Sequence, residues 1–155
     1  MKLNVTPHAK LEWFGGNQAA LEMYCLFAEL SHTWDDLVDK DKDVSEDQTN
    51  QAFAIALVYL PANHFYQQIQ PQILPMWLTV ISAYQTANAF EKAKEAHGLE
   101  IAHTLRYAAG NIIAYAMFVC LGAEKAKEYL PDMWKAVVAE RFDDYRKEHL
   151  DADSK

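Results

Sequence analysis

The densest chemistry in this sequence is a run of carboxylates at 35–47. Asp35, Asp36, Asp39, Asp41, Asp43, Glu46 and Asp47 stand there against only Lys40 and Lys42, so thirteen residues hold −5 of a net charge of −8. Like charges this close repel unless water, salt or a cation screens them. Asp is also a poor helix former, and negative charge is disfavoured where a helix ends. The pattern predicts either a solvated acidic face or a divalent cation held among Asp35, Asp36, Asp39, Asp41 and Asp43, with Mg²⁺ and Ca²⁺ the candidates for an all-oxygen site.

A second set of residues has the spacing of helical metal ligands. Glu29-x-x-His32 and Glu100-x-x-His103 each place a carboxylate and an imidazole three apart, on one helix face. A dinuclear centre would need an inward Glu from two more helices, and Glu22, Glu91 and Glu140 are available. Glu100, His103, Thr104, Tyr107 and Asn111 also form one polar stripe on an otherwise apolar segment. The alternative to ligation is a hydrogen-bonded network with Glu100 near the exposed helix start.

Three short motifs resemble known families. Asp35-Asp36-Leu37-Val38-Asp39 resembles the DDxxD motif of class I isoprenoid synthases, which are all-α enzymes. The resemblance implies Mg²⁺ and a diphosphate substrate, with Asp143, Asp144 and Glu148 as a second acidic motif and Arg141, Arg146 and Lys147 as phosphate contacts. The chain is about half the length such enzymes need. Asp39-Lys40-Asp41-Lys42-Asp43 is similar to the start of an EF-hand calcium loop, but Val44 stands where the turn wants Gly and Asn50 where a closing Glu belongs. Finally, Trp34-Asp35-Asp36-Leu37-Val38-Asp39, Ala52-Phe53, Leu60-Pro61-Ala62-Asn63-His64-Phe65-Tyr66, Ala87-Asn88 and Glu91 have a cadence that resembles small helical proteins of tailed phages and prophages. That resemblance spans 30–125 and implies an accessory or host-interaction role.

The elements that must position these residues are helices throughout. No segment alternates apolar and polar residues as a half-buried strand does. Thr6-Pro7 suits a short first helix in an N-terminal arm, 1–16. Asn17 caps a helix to about 38, with Ala20, Met23, Phe27, Leu30, Trp34 and Leu37 on its apolar face. Ser45 and Gln48 fit a capping box for a helix to about 60. Pro61, Pro71 and Pro75 predict breaks, with the next long helix running from Pro75 to about 96. Gly98 predicts another break, a continuous apolar helix follows over 99–121, and Gly122 ends it. A short helix over 123–129, a last helix over 132–150 and a frayed tail at 151–155 complete a compact bundle of five or six mostly antiparallel helices in one domain.

The 155 residues are 51% hydrophobic, enough for a real core, and the acidic balance disfavours nucleic acid and anionic membranes. Cys25 and Cys120 have no spacing motif and read as buried thiols. The longest apolar run, 107–121, is short for a membrane span and is interrupted by Gly110 and Asn111. These features predict a cytoplasmic accessory or binding protein, with a basic protein or a second copy of the chain as partner. The alternatives are a Mg²⁺-dependent enzyme for a phosphate or diphosphate substrate and a dinuclear helical bundle.

Overall fold

A computed structural model describes residues 10–40 and 42–151, and the fold is an all-α bundle. After a 3₁₀ turn at Leu11–Phe14, the elements are α1 (Gln18–Asp39), α2 (Glu46–Ala54), a π turn (Ile55–Tyr59), α3 (Leu60–Ala62), α4 (His64–Ala93), α5 (Ala96–Arg106), α6 (Gly110–Leu121), α7 (Ala123–Val137) and α8 (Phe142–Asp151). The expected helix at Thr6-Pro7 lies outside the described residues. In the described part of the arm, Trp13 and Phe14 are fully buried, and Trp13 Nε1 donates to Asp132 at 3.1 Å.

Local chemistry starts the helices where the sequence predicts. Asn17 accepts the N–H of Ala20, and Ser45 and Gln48 close the capping box. Asn63 does two jobs. Its Oδ1 caps α4 through the Tyr66 N–H at 2.9 Å, and its Nδ2 donates to the Ala19 carbonyl at 2.9 Å, tying α4 to the first turn of α1.

The prolines behave otherwise. α4 runs unbroken through Pro71 and Pro75, so no separate helix starts at Pro75. Both prolines face solvent, where water can reach the carbonyls left without N–H partners. Phe65, Ile69, Ile73, Val80, Tyr84, Ala87 and Glu91 form the inward stripe of this helix. Pro131 likewise lies inside α7, which passes the expected stop at 129. The last expected helix is instead divided between α7 and α8 by an irregular segment at 138–141.

Gly98 is interior to α5, because Glu95 caps that helix three residues earlier than expected: its carboxylate accepts the N–H groups of His97 and Gly98. The apolar 99–121 stretch is not one helix. Residues 107–109 form a turn between α5 and α6. Gly110 sits at this turn because α7 presses on it: a Cβ there would lie 2.4 Å from Trp134 Cζ3. By length and composition 96–121 is the one stretch among the described residues that could cross a membrane. Here Leu99, Ala102, Ile112, Ile113, Ala116 and Met117 are buried in the bundle.

The core has two parts. The larger one joins Trp13, Phe14, the first half of α1, the inward stripe of α4 and the buried side of α6. The smaller one gathers Ala87, Leu99, Ala102 and Tyr145 between α4, α5 and α8. The functional candidates lie around the junction of α1, α4, α5 and α8.

Candidate functional site: a caged arginine beside an aromatic cavity

Arg106 is the only Lys or Arg between Lys94 and Lys125, and it ends α5 in the most apolar part of the chain. An isolated cation there must find acids or remain in water. The α4–α5 hairpin, turned at Lys94 in the left-handed conformation (φ 53°), supplies the first of them. Arg106 Nε and Nη2 grip the two oxygens of Glu91 at 2.6 and 2.5 Å, and Nη2 also donates to Asn88 at 2.9 Å. From α1, Asp35 accepts Nη1 at 2.7 Å and Asp39 accepts Nη2 at 3.2 Å. The guanidinium carbon lies 4.9 Å from the ring centre of Tyr84. From α8, the Tyr145 hydroxyl donates to Glu91, and His149 Nε2 stands 3.8 Å from the same carboxylate. Four helices thus meet on one guanidinium whose side chain is 15% exposed.

The electrostatics follow from this cage. Burial alone would push the Glu91 carboxyl up, but Arg106 and Tyr145 outweigh it and hold the group below its ordinary range. Burial also opposes the charge on Arg106, and Glu91 overcomes that, so the guanidinium stays protonated. Asp39 goes the other way. Burial raises it more than Arg106 lowers it, and Asp35 and Glu91 add repulsion. Tyr84 is pushed up to about 12 by burial and by its hydrogen bond to Asp35, 2.8 Å long.

Next to the cage is a cavity of about 510 Å³ between α1, α4, the 107–110 turn and the end of α7. Phe27, Trp34, Trp77 and Tyr84 form aromatic walls, with Ile112 and Ile113 beneath them. Trp34 and Tyr84 lie with ring centres 4.3 Å apart. The polar end has His32, Asp35, Arg106, Tyr107 and Glu140. Burial and the neighbouring Glu148 raise the Glu140 carboxyl.

The structure separates the residues proposed from the sequence. Asp35 and Asp39 do converge, but on Arg106. The cost of Asp35 and Asp39 at the end of α1 is therefore offset by an internal cation. Leu37, assigned to the buried face, is exposed instead, while the partly exposed Asp35 and Asp39 turn toward Arg106. Asp36 pairs with Lys42 at 3.4 Å, Asp43 is exposed, and Asp41 lies outside the described residues. Glu29, His32 and Asp36 line a second groove with Asp47 of α2. Glu100 is exposed beside His97 at 3.3 Å. His103 Nε2 donates to the Glu140 carbonyl at 3.0 Å and packs against Tyr107, Phe142 and Tyr145. Asp143 and Asp144 are exposed on α8, Asp143 4.0 Å from Arg141, and Glu148 is exposed. Among the described residues, no three His, Cys, Asp or Glu side chains are placed to hold a metal ion.

Sequence reasoning missed Arg106, Asn88, Tyr84 and Tyr145. The signal for Arg106 was its isolation in an apolar stretch. The others carry no local signature. The chain matches no protein-family model, and it has no match among curated proteins or solved structures.

Proposed function

We propose that the chain is a binding protein whose aromatic cavity takes a small, mostly apolar molecule with a protonated amine at one end. The carrying observation is the cavity itself, about 510 Å³ with aromatic walls and acids at its polar end. That volume is ordinary for small-molecule sites. The sign of the ligand's charge follows from the acids. Asp35, Asp39 and Glu91 surround the single positive charge of Arg106 and Glu140 lines the same cavity, so the local field favours a cation. Both hydrogen bonds to Asp35 fall on Oδ1, which leaves Oδ2 to accept a ligand N–H. Indole and phenol faces suit an ammonium group as well as an apolar body.

Three of the polar groups at the cavity hold one protonation state, which suits binding. Tyr84 is raised to about 12, Tyr107 is raised by burial, and Arg106 is locked in its charged form. None of the three exchanges a proton readily at neutral pH. The likeness to small phage and prophage proteins is compatible with such an accessory role and names no ligand.

Thermal melting with phenylalkylamines and the matching phenylalkyl carboxylates tests this reading. The amines raise Tm in a saturable way, by about 2.7 kcal/mol of stability at a hundredfold excess over Kd, and Asp35→Asn removes the rise. Equal stabilisation by the carboxylates, or none by any amine, refutes it.

A further inference from the structure

The surface of α4 carries a second signal, independent of the cavity. Residues 48–90 contain no Asp, Glu, Lys or Arg, in a chain where 23% of residues are charged. This stretch includes nearly all of α4. Its inward side is accounted for by Ile73, Val80 and Tyr84. Its outward side is not polar: Leu74 is 49% exposed, Leu78 72% and Ile81 40%. These leucines and the isoleucine are four and three residues apart, so they share one helix face. Pro71 and Gln85 continue the same exposed line at its two ends. A helix of thirty residues is about 45 Å long, which gives this face the length of a helix-pairing seam.

We infer that α4 pairs with α4 of a second copy of this chain about a twofold axis, with Leu78 near the axis and Leu74 opposite Ile81. Charge selects this occupant. In a twofold contact each patch meets itself, so any net charge on it is set against its own copy. A chain of net charge −8 packs against itself with least repulsion where it carries no charge, and the run that holds most of α4 is the longest uncharged one in the sequence. A basic protein partner finds no acids on this face. An anionic lipid surface finds no Lys or Arg there to hold it. The pairing buries side chains that the bundle leaves in water, at the spacing antiparallel helices use.

Sedimentation velocity of the full chain over a range of concentrations tests the inference. The expected result is a concentration-dependent species of twice 17.7 kDa. Leu78→Glu places two carboxylates at the axis and weakens association at least tenfold. Leu74→Gln weakens it less, without adding charge. Leu57→Glu, at an equally exposed residue of the π turn (70%), leaves association unchanged, and circular dichroism checks that all three variants remain helical. A chain that is monomeric at every concentration overturns the inference, as does a dimer indifferent to Leu78→Glu or dissociated by Leu57→Glu. A monomer that floats with neutral vesicles assigns the face to lipid and overturns it as well.

Discussion

Replacing Arg106 by methionine removes the cation and leaves Glu91, 8% exposed, without its charge partner. A buried ion pair contributes little net stability once desolvation is counted, but breaking one by deleting a partner costs about 3–5 kcal/mol. Arg106→Met should lose an amount in that range in urea unfolding. Arg106→Lys should recover only part of it, because one ammonium cannot reach Glu91, Asn88, Asp35 and Asp39 with the fork that now spans them. Restoration of full stability by Lys would show that the site needs only a charge. Tyr145→Phe is milder: it deletes one donor to Glu91 and should cost about 1.5–3 kcal/mol, as hydrogen bonds to charged groups do. At this scale little was legible. Asp35 and Asp39 announced themselves through their density, but their partner lies some seventy residues away, and no local pattern encodes such a meeting.

Elements were more legible, because helix starts are local. Asn17 and Ser45 cap helices within three residues of themselves, so their types suffice. Stops were harder. The rule that proline ends a helix rests on an orphaned carbonyl and a steric clash. Pro71 and Pro75 face water, so hydration can replace the missing bonds and α4 continues. The break at 107–109 was hidden in an apolar run because its cause is the approach of Trp134 to Gly110, a contact between helices. Gly110→Ala should therefore destabilise by about 1–3 kcal/mol, the usual cost of overpacking, since the rigid indole ring must move. A wild-type melting curve for this variant would mean that α7 shifts freely. Lys94 makes the opposite case. It turns the α4–α5 hairpin with φ 53°, a conformation costly for a residue with a Cβ. Lys94→Gly should raise stability by a few tenths to about 1 kcal/mol, and a loss would mean that the lysine side chain contributes more than its backbone strain costs.

For the whole molecule, the all-α class was legible from periodicity alone, while its electrostatic balance required the structure. Two opposed groups of carboxyls set how stability depends on pH. Glu91 has a folded pKa below its unfolded value, so its contribution is present above the unfolded pKa and is lost as pH falls through the folded one. Asp39 and Glu140 have folded pKa values above their unfolded ones, because burial and nearby acids disfavour their charge. Each therefore destabilises the fold at neutral pH, and this penalty fades as pH falls toward the raised folded values. The general repulsion of a chain at −8 fades in the same direction. As pH falls from 7.5 toward the ordinary carboxylate range, Asp39 and Glu140 begin to shed their penalty while Glu91 is still ionised, so Tm should rise. Below about pH 4, protonation of Glu91 dismantles its bridge to Arg106, and Tm should fall steeply. Melting curves across this range check both limbs. Glu91→Gln should flatten the acid limb, since its unfolded and folded states no longer differ in protons bound at that position. A Tm that declines steadily from pH 7.5 downward would mean that Asp39 and Glu140 are not under the strain their burial implies.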